Sequence, residues 1–206
     1  MLWRDTLRTA ISLIRHEGIP YSEWTWGGGS ALSFRLHHRE SVDVDIFFWN
    51  AMLLTHFSPR VNALAEKLSK SYTEQSNFIK LYLPDGKQID FIVSPLLTSK
   101  PYTVEVVIGE TIQVETPCEI VIKKLFYRAE SLKVRDIVDT VAVWECCPDE
   151  LKKEMELIKP KREVIKNRLQ ILKSVWSREI KNLTIYDESL KKLHTLQKFE
   201  SIIFQG

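Results

Sequence analysis

The sequence predicts an α+β chain, with strands gathered in its first 116 residues and helices filling the rest. Three observations carry this. Residues 42–48 read Val-Asp-Val-Asp-Ile-Phe-Phe, the alternation of a half-buried strand. Residues 72–114 hold further short β-type runs, broken by Pro84-Asp85-Gly86 and by Gly109. From Pro117 onward, apolar residues recur at helical spacing.

The elements follow in order. Leu7, Ala10, Ile11 and Ile14 give residues 3–17 one apolar helix face, and Gly18 and Pro20 stop it. Residues 21–26 form a short aromatic approach with strand character. Ser30 to His37 fits a short helix opened by Gly27-Gly28-Gly29. After the strand at 42–48, Pro59 to Ser69 fits a helix, with proline in its first turn. Phe78–Leu83 and Gln88–Val93 flank the Pro-Asp-Gly turn as a hairpin. Val104–Ile108 and Thr111–Val114 form a second one around Gly109. Helices are then expected from about Glu119 to Glu130, Arg135 to Cys147, Asp149 to Ile158, Pro160 to about Lys181, and Glu188 to Phe204. Trp24, Trp26, Trp144 and Trp176 read as core aromatics.

Composition excludes several classes. The 206 residues carry 29 basic and 27 acidic groups, a net charge of +2. Hydrophobic content is 44%, which rules out a disordered or fibrous chain. No apolar run approaches the roughly 20 residues of a membrane span. Arg4, Asp5, Arg8, Arg15 and His16 interrupt any leader-like apolar stretch, so a cytoplasmic protein without membrane attachment is expected. Cys118, Cys146 and Cys147 lack zinc spacing and read as packed thiols. Residues 1–118 hold 11 basic and 13 acidic groups, whereas residues 119–206 hold 18 and 14. That basic bias suits a polyanion, although solvated helix faces produce the same count.

Glycine is scarce, at 7 residues, yet three stand together as Gly27-Gly28-Gly29. Such a run marks unusual backbone or a close approach. A helix starting beside it presents free N–H groups to an anion, and Ser30 adds a hydroxyl. Thirteen residues after Ser30 comes Asp43, followed by Asp45. On a strand, these two project to one face, about 7 Å apart. Asp90 is a further lone acid, in Ile-Asp-Phe-Ile-Val. If its strand neighbours residues 43–48, three carboxylates converge and call for divalent cations. Magnesium with a nucleoside triphosphate fits such oxygen donors. Lys124 and Arg128 share one helix face and could neutralise phosphate charge. Asp136 and Asp139 could orient those cations or cap a helix. Arg39 and Ser41, just before the strand, are placed to reach phosphates as well. His37 and His38 read as polar loop or helix-end residues.

The string GGGSALSFRLHHRESVDVDIFF resembles the nucleotidyltransferase signature, a Gly-Gly/Ser turn and helix followed by Asp-x-Asp on a strand, and the third acid in IDFIVS suits the polymerase-β-like superfamily. TPCEIVIKKLFYRAESLKVRDIVD resembles the second half of the AbiEii/AbiGii-type toxin nucleotidyltransferases. The resemblance covers roughly residues 24–145. It implies a polymerase-β-like nucleotidyltransferase fold with a mixed sheet flanked by helices. The chain's own pattern puts a boundary, if there is one, near Pro148, with residues 1–147 as the nucleotidyltransferase domain and 148–206 as a helical C-terminal region that either stands apart or packs into the same domain. The resemblance assigns Asp43, Asp45 and Asp90 to metal and catalysis, and Gly28, Gly29 and Ser30 to phosphate. Lys124 matches the helix lysine, with Lys123 fitting the same position one residue earlier, and Asp136 matches the Arg-Asp position. Lys123, Arg128, Arg39 and Ser41 complete the expected phosphate set.

The expected reaction is Mg2+-dependent transfer of a nucleotide from an NTP to an acceptor hydroxyl, two ions being held once NTP is bound. The resemblance points to tRNA as acceptor and to a cognate antitoxin as partner. A protein side chain or small molecule is the alternative acceptor. A non-catalytic NTP-binding or antitoxin-binding scaffold is the alternative outside enzymology.

Overall fold

The computed structural model describes residues 2–205, and they divide into two compact units. The first comprises residues 1–31, 41–96 and 102–116; the second comprises 32–40, 97–101 and 117–206. The last change of unit along the chain falls at Pro117.

The first unit is built on a seven-stranded sheet: β1 (Trp24–Gly27), β2 (Val44–Phe48), β3 (Ser71–Gln75), β4 (Phe78–Tyr82), β5 (Gln88–Val93), β6 (Tyr102–Val107) and β7 (Glu110–Glu115). Their order is β3-β4-β5-β2-β1-β7-β6. The β2–β5 and β1–β7 pairs are parallel and the others antiparallel, so the sheet is mixed. Both predicted hairpins form, β4–β5 and β6–β7.

Alternation sets the two faces. Val44, Ile46, Phe48, Ile79, Leu81, Ile89 and Phe91 are buried on one side. Against that side lie helix α1 (Arg4–His16), through Leu7, Ala10, Ile11 and Ile14, and a 3-10 stretch at Ala51–Phe57. Phe57 stacks on Phe91 with ring centroids 4.0 Å apart. Trp3 meets Trp26 at 4.6 Å, and both are buried. The opposite side of β2, β4 and β5 carries Asp45, Lys80 and Asp90.

Several boundaries shift for physical reasons. Tyr21–Glu23 is a 3-10 turn, and the strand begins only at Trp24. Asp43 precedes β2 because its carboxylate accepts the Gln88 N–H at 3.1 Å, at the point where the β2–β5 ladder begins. Helix α2 (Gly28–Leu36) starts on the glycines themselves, ahead of the expected Ser30. Helix α3 is confined to Ala63–Leu68, because Asn62 caps it by accepting the Ala65 N–H at 2.8 Å.

In the second unit, helices α4 (Pro117–Tyr127), α5 (Val134–Cys146), α6 (Pro148–Glu154), α7 (Arg162–Glu179) and α8 (His194–Gln205) surround an apolar interior. Ile165, Leu169, Leu172 and Trp176 form the buried stripe of α7, and Phe199, Ile202 and Ile203 that of α8. Pro160 lies inside a 3-10 segment, Met155–Lys161, and α7 begins after it. The last expected helix is split into a 3-10 turn at Glu188–Lys191 and α8. Residues 38–40 are tied to 184–186: Arg39 bridges Ile185, Glu40 N donates to Thr184 O at 2.8 Å, and Tyr186 N donates to His38 O at 2.9 Å. Buried Glu119 accepts from the N–H groups of Leu97 and Thr98, fixing that short segment to α4.

Candidate functional site

The polar side of the first unit's sheet carries a row of matched positions. Lys80 on β4 pairs in register with Asp90 on β5, Asp90 with Asp45 on β2, and Asp45 with Gly27 on β1. Asp45 and Asp90 therefore face each other across parallel strands. Lys80 Nζ donates to Asp90 Oδ2 at 2.8 Å and to Gln88 Oε1 at 3.1 Å. Asp90 Oδ1 is buried with no hydrogen-bond partner within the protein. Burial first, and Asp45 second, push the Asp90 carboxyl up to about 6, against the pull of Lys80. Asp43 adds a smaller repulsion, so all three acids share one neighbourhood.

These donors fit a hard divalent cation. An orphaned carboxylate oxygen and two opposed acids are what a cation would compensate. The expected convergence is nevertheless looser than three free ligands. Among the described residues, no three His, Cys, Asp or Glu side chains close into a ready-made metal group. Asp43 is turned to the Gln88 N–H and Asp90 to Lys80.

The glycine run has a specific geometry beside this row. Gly28 sits at φ +69°, where a side chain is strained, and a Cβ on it would overlap the Asp45 carboxylate. A Cβ on Gly27 would overlap Glu115, a fully buried acid that accepts from Thr25 Oγ1 at 3.0 Å. Gly29 is the second residue of α2. Ser30 is buried, and its hydroxyl accepts from the Trp26 indole at 3.1 Å. Ser41 is half-buried in the segment leading to Asp43.

Within the second unit lies a buried charge cluster centred on Asp139. Arg39 grips it with Nε at 2.6 Å and Nη2 at 2.8 Å, His38 Nε2 lies at 2.7 Å, and Lys124 Nζ completes the set. Burial works to raise the Asp139 carboxyl. Arg39 and Lys124 outweigh it and hold the group well below the usual carboxylate range. Asp136 is also fully buried and accepts the Lys133 N–H at 3.0 Å, capping its own helix. Lys124 lies 3.6 Å and Arg128 3.8 Å from Asp136. Lys123 points elsewhere, to Glu119 at 3.3 Å. Arg39, expected at phosphate, is instead buried against Asp139 and the Glu40 carbonyl.

Three participants escaped the sequence reading. Lys80 lies in Phe-Ile-Lys-Leu-Tyr, a charge inside an apolar strand, the same signal that marked Asp90. Glu115 closes β7 and has no local signature. His38 is buried at the Asp139 cluster, where a loop or helix-end residue was expected.

A mixed sheet bearing paired acids beside a glycine turn agrees with the polymerase-β-like nucleotidyltransferase fold expected from the sequence. Among solved structures, the chain is similar to ANT(2'')-Ia in complex with adenylyl-2''-tobramycin, with a TM-score of 0.54 and 14% identity, over 77% of this chain and 96% of that one. It is also similar to an antigenic nucleotidyltransferase-like protein from Paracoccidioides brasiliensis, with a TM-score of 0.45 and 15% identity, over 82% and 92% of the two chains. No curated protein matches the chain. The family model "Nucleotidyl transferase AbiEii toxin, Type IV TA system" matches residues 21–200. The chain belongs to the AbiEii nucleotidyltransferase toxin family of type IV toxin–antitoxin systems, a membership that implies an antitoxin partner and an NTP substrate. Among the described residues, no helix is long and apolar enough to cross a membrane.

Proposed function

We propose that this protein is a Mg2+-dependent toxin that transfers a nucleotide from an NTP to an acceptor hydroxyl on tRNA. The observation that supports this best is the Asp45–Asp90 pair, set in register beside the close-packed Gly28 turn.

In this reading Asp43, Asp45 and Asp90 hold the metal. Bound Mg2+ supplies charge neutralisation at the triphosphate and favours the attacking form of the acceptor hydroxyl. The backbone N–H groups at Gly28, Gly29 and Ser30 meet phosphate oxygens at the start of α2. Gly28 is needed because any side chain there displaces Asp45. Asp90 is the base for the acceptor's proton, and Ser41 flanks the phosphates. Lys124 and Asp136 keep a catalytic role in this reading through the family resemblance alone, since both are held in buried ion pairs of the second unit. Arg128, whose side chain is 39% exposed, offers the most accessible cation of its cluster to phosphate. Arg39 and Lys123 are committed to Asp139 and Glu119, so they support the fold of the second unit instead. The excess of basic residues after 118 favours an RNA acceptor over a neutral one.

The test mixes purified protein with Mg2+, each α-labelled NTP and total tRNA. Wild type is expected to label tRNA, and Asp45→Asn to label nothing. Label on tRNA that survives Asp45→Asn defeats the catalytic assignment. A small-molecule acceptor is the second reading, favoured by the fold's likeness to a protein solved with an adenylylated aminoglycoside. Label appearing only on added aminoglycoside would select it.

A further inference from the structure

His37 has no place in the reaction as set out above, yet its backbone is held at φ +49°. It follows α2 directly, and its N–H donates to Ser33 O at 3.0 Å. This is the left-handed helix ending that usually falls to glycine, and a side chain there is strained. Ile108, the other non-glycine residue with positive φ among those described, lies in the two-residue turn between β6 and β7, where such angles are required. At position 37 the backbone alone favours glycine, so the imidazole is retained against that preference.

What the ring does is visible. It is exposed and stacks on Tyr186, with centroids 4.5 Å apart and planes 16° from parallel. Tyr186 is itself 46% exposed. Both belong to the second unit. Their backbones are anchored, because Tyr186 N donates to His38 O at 2.9 Å and Arg39 bridges Ile185. His38, Arg39 and Ile185 are all buried. The pair is therefore a fixed platform of two near-parallel rings at the surface.

Rings already held parallel accept a third flat ring with little left to order. The unpaired base of a single-stranded RNA is such a ring. Charge suits the same ligand. Lys181 and Lys192, in the stretch around Tyr186, are exposed. Of the neighbouring acids, Glu188 pairs with Lys191 at 2.6 Å and Asp187 accepts the Ser189 N–H at 3.0 Å.

We propose that the stacked His37–Tyr186 pair is a nucleobase platform, on which an unpaired base of the acceptor RNA stacks. The contact tolerates any base, since each has a π face, and it takes no part in the chemistry. This inference deepens the RNA reading proposed above and rests on it.

The experiment uses full-length protein and an RNA octamer carrying one central 2-aminopurine, whose fluorescence falls when the base stacks. Wild type should bind the octamer with quenching. His37→Gly and Tyr186→Ala should each bind it about tenfold more weakly, the effect of losing one stacked base. His37→Phe and Tyr186→Trp keep flat rings and should retain binding. His37→Gly also relieves the backbone, so its urea midpoint should equal or exceed that of wild type. A lower midpoint with unchanged RNA binding would make the stack a device of the fold and overturn the platform. Labelling of tRNA is measured in parallel. Wild type that labels tRNA but binds the octamer no better than His37→Gly and Tyr186→Ala overturns the platform alone. Wild type that neither labels tRNA nor binds the octamer overturns the RNA reading and this inference together.

Discussion

Arg39 grips Asp139 through two guanidinium nitrogens, at 2.6 and 2.8 Å, across a sequence separation of 100 residues. Both side chains are buried, so neither charge has water to fall back on. Arg39→Ala is expected to destabilise the protein by about 3–5 kcal/mol, the usual result of stripping one partner from a buried ion pair. Arg39→Lys should recover only part of this, because lysine cannot make the two-pronged contact. Urea unfolding of both variants checks it; an Arg39→Ala midpoint equal to wild type would reject the clamp.

Asp139 also sets an acid limb on stability. Its folded carboxyl is held well below the ordinary value near 4 by Arg39 and Lys124, against burial. A depressed acid contributes stability that is complete above the unfolded value and is lost as pH falls towards the folded one. Wild type should therefore lose stability on acidification below about pH 4. Asp139→Asn should be weaker at neutral pH and show a shallower loss in that window. Urea midpoints measured from pH 2 to 7 decide this; parallel acid limbs would contradict it.

Gly28 and Gly18 share nearly the same backbone angle, φ +69° and +68°, in different surroundings. A Cβ at Gly18 meets nothing within 4 Å, whereas at Gly28 it meets Asp45. Both alanine variants should lose about 1–2 kcal/mol from the left-handed backbone alone. Gly28→Ala should additionally lower nucleotide transfer by at least about tenfold, through displacement of Asp45, the metal ligand proposed above. Gly18→Ala should leave transfer intact. Equal activity in the two variants would detach the glycine turn from the site.

Asp45 raises the cost of ionising Asp90, so under the proposed reaction the pair is a stability burden kept for its chemistry. Asp45→Asn is expected to abolish transfer, by a factor on the order of 10² or more. Its melting temperature should stay equal to or above that of wild type. A marked drop in melting temperature would mean that Asp45 serves the fold rather than the reaction.

Much of the architecture was legible because it is written locally. Alternation marked β2, β4 and β5, Pro84-Asp85-Gly86 marked their turn, and the glycines marked the start of α2. β3 was missed because Ser-Tyr-Thr-Glu-Gln has no apolar face to announce. As an edge strand it needs only one neighbour, β4, to form. At the site, Asp45 and Asp90 stood out as charges in apolar strands. The part played by His38 and Arg39 was not legible, since it depends on Asp139, roughly half the chain away. Asp43 was placed one residue too far into its strand because a side chain taking the Gln88 N–H leaves no mark on hydrophobic periodicity.

The antiparallel bridge between Arg39 and Ile185 bears on the order in which a growing chain can be finished. Every strand of the sheet has been synthesised by residue 115, and the carboxylate row with it. In the segment just after α2, by contrast, the Glu40 N–H and the His38 carbonyl wait for residues 184–186 to supply their backbone partners. Synthesis therefore supplies the acids early and secures the Arg39 segment late. A ribosome stalled before residue 184 would carry a chain with its acidic row already made and its Arg39 strap still unfastened.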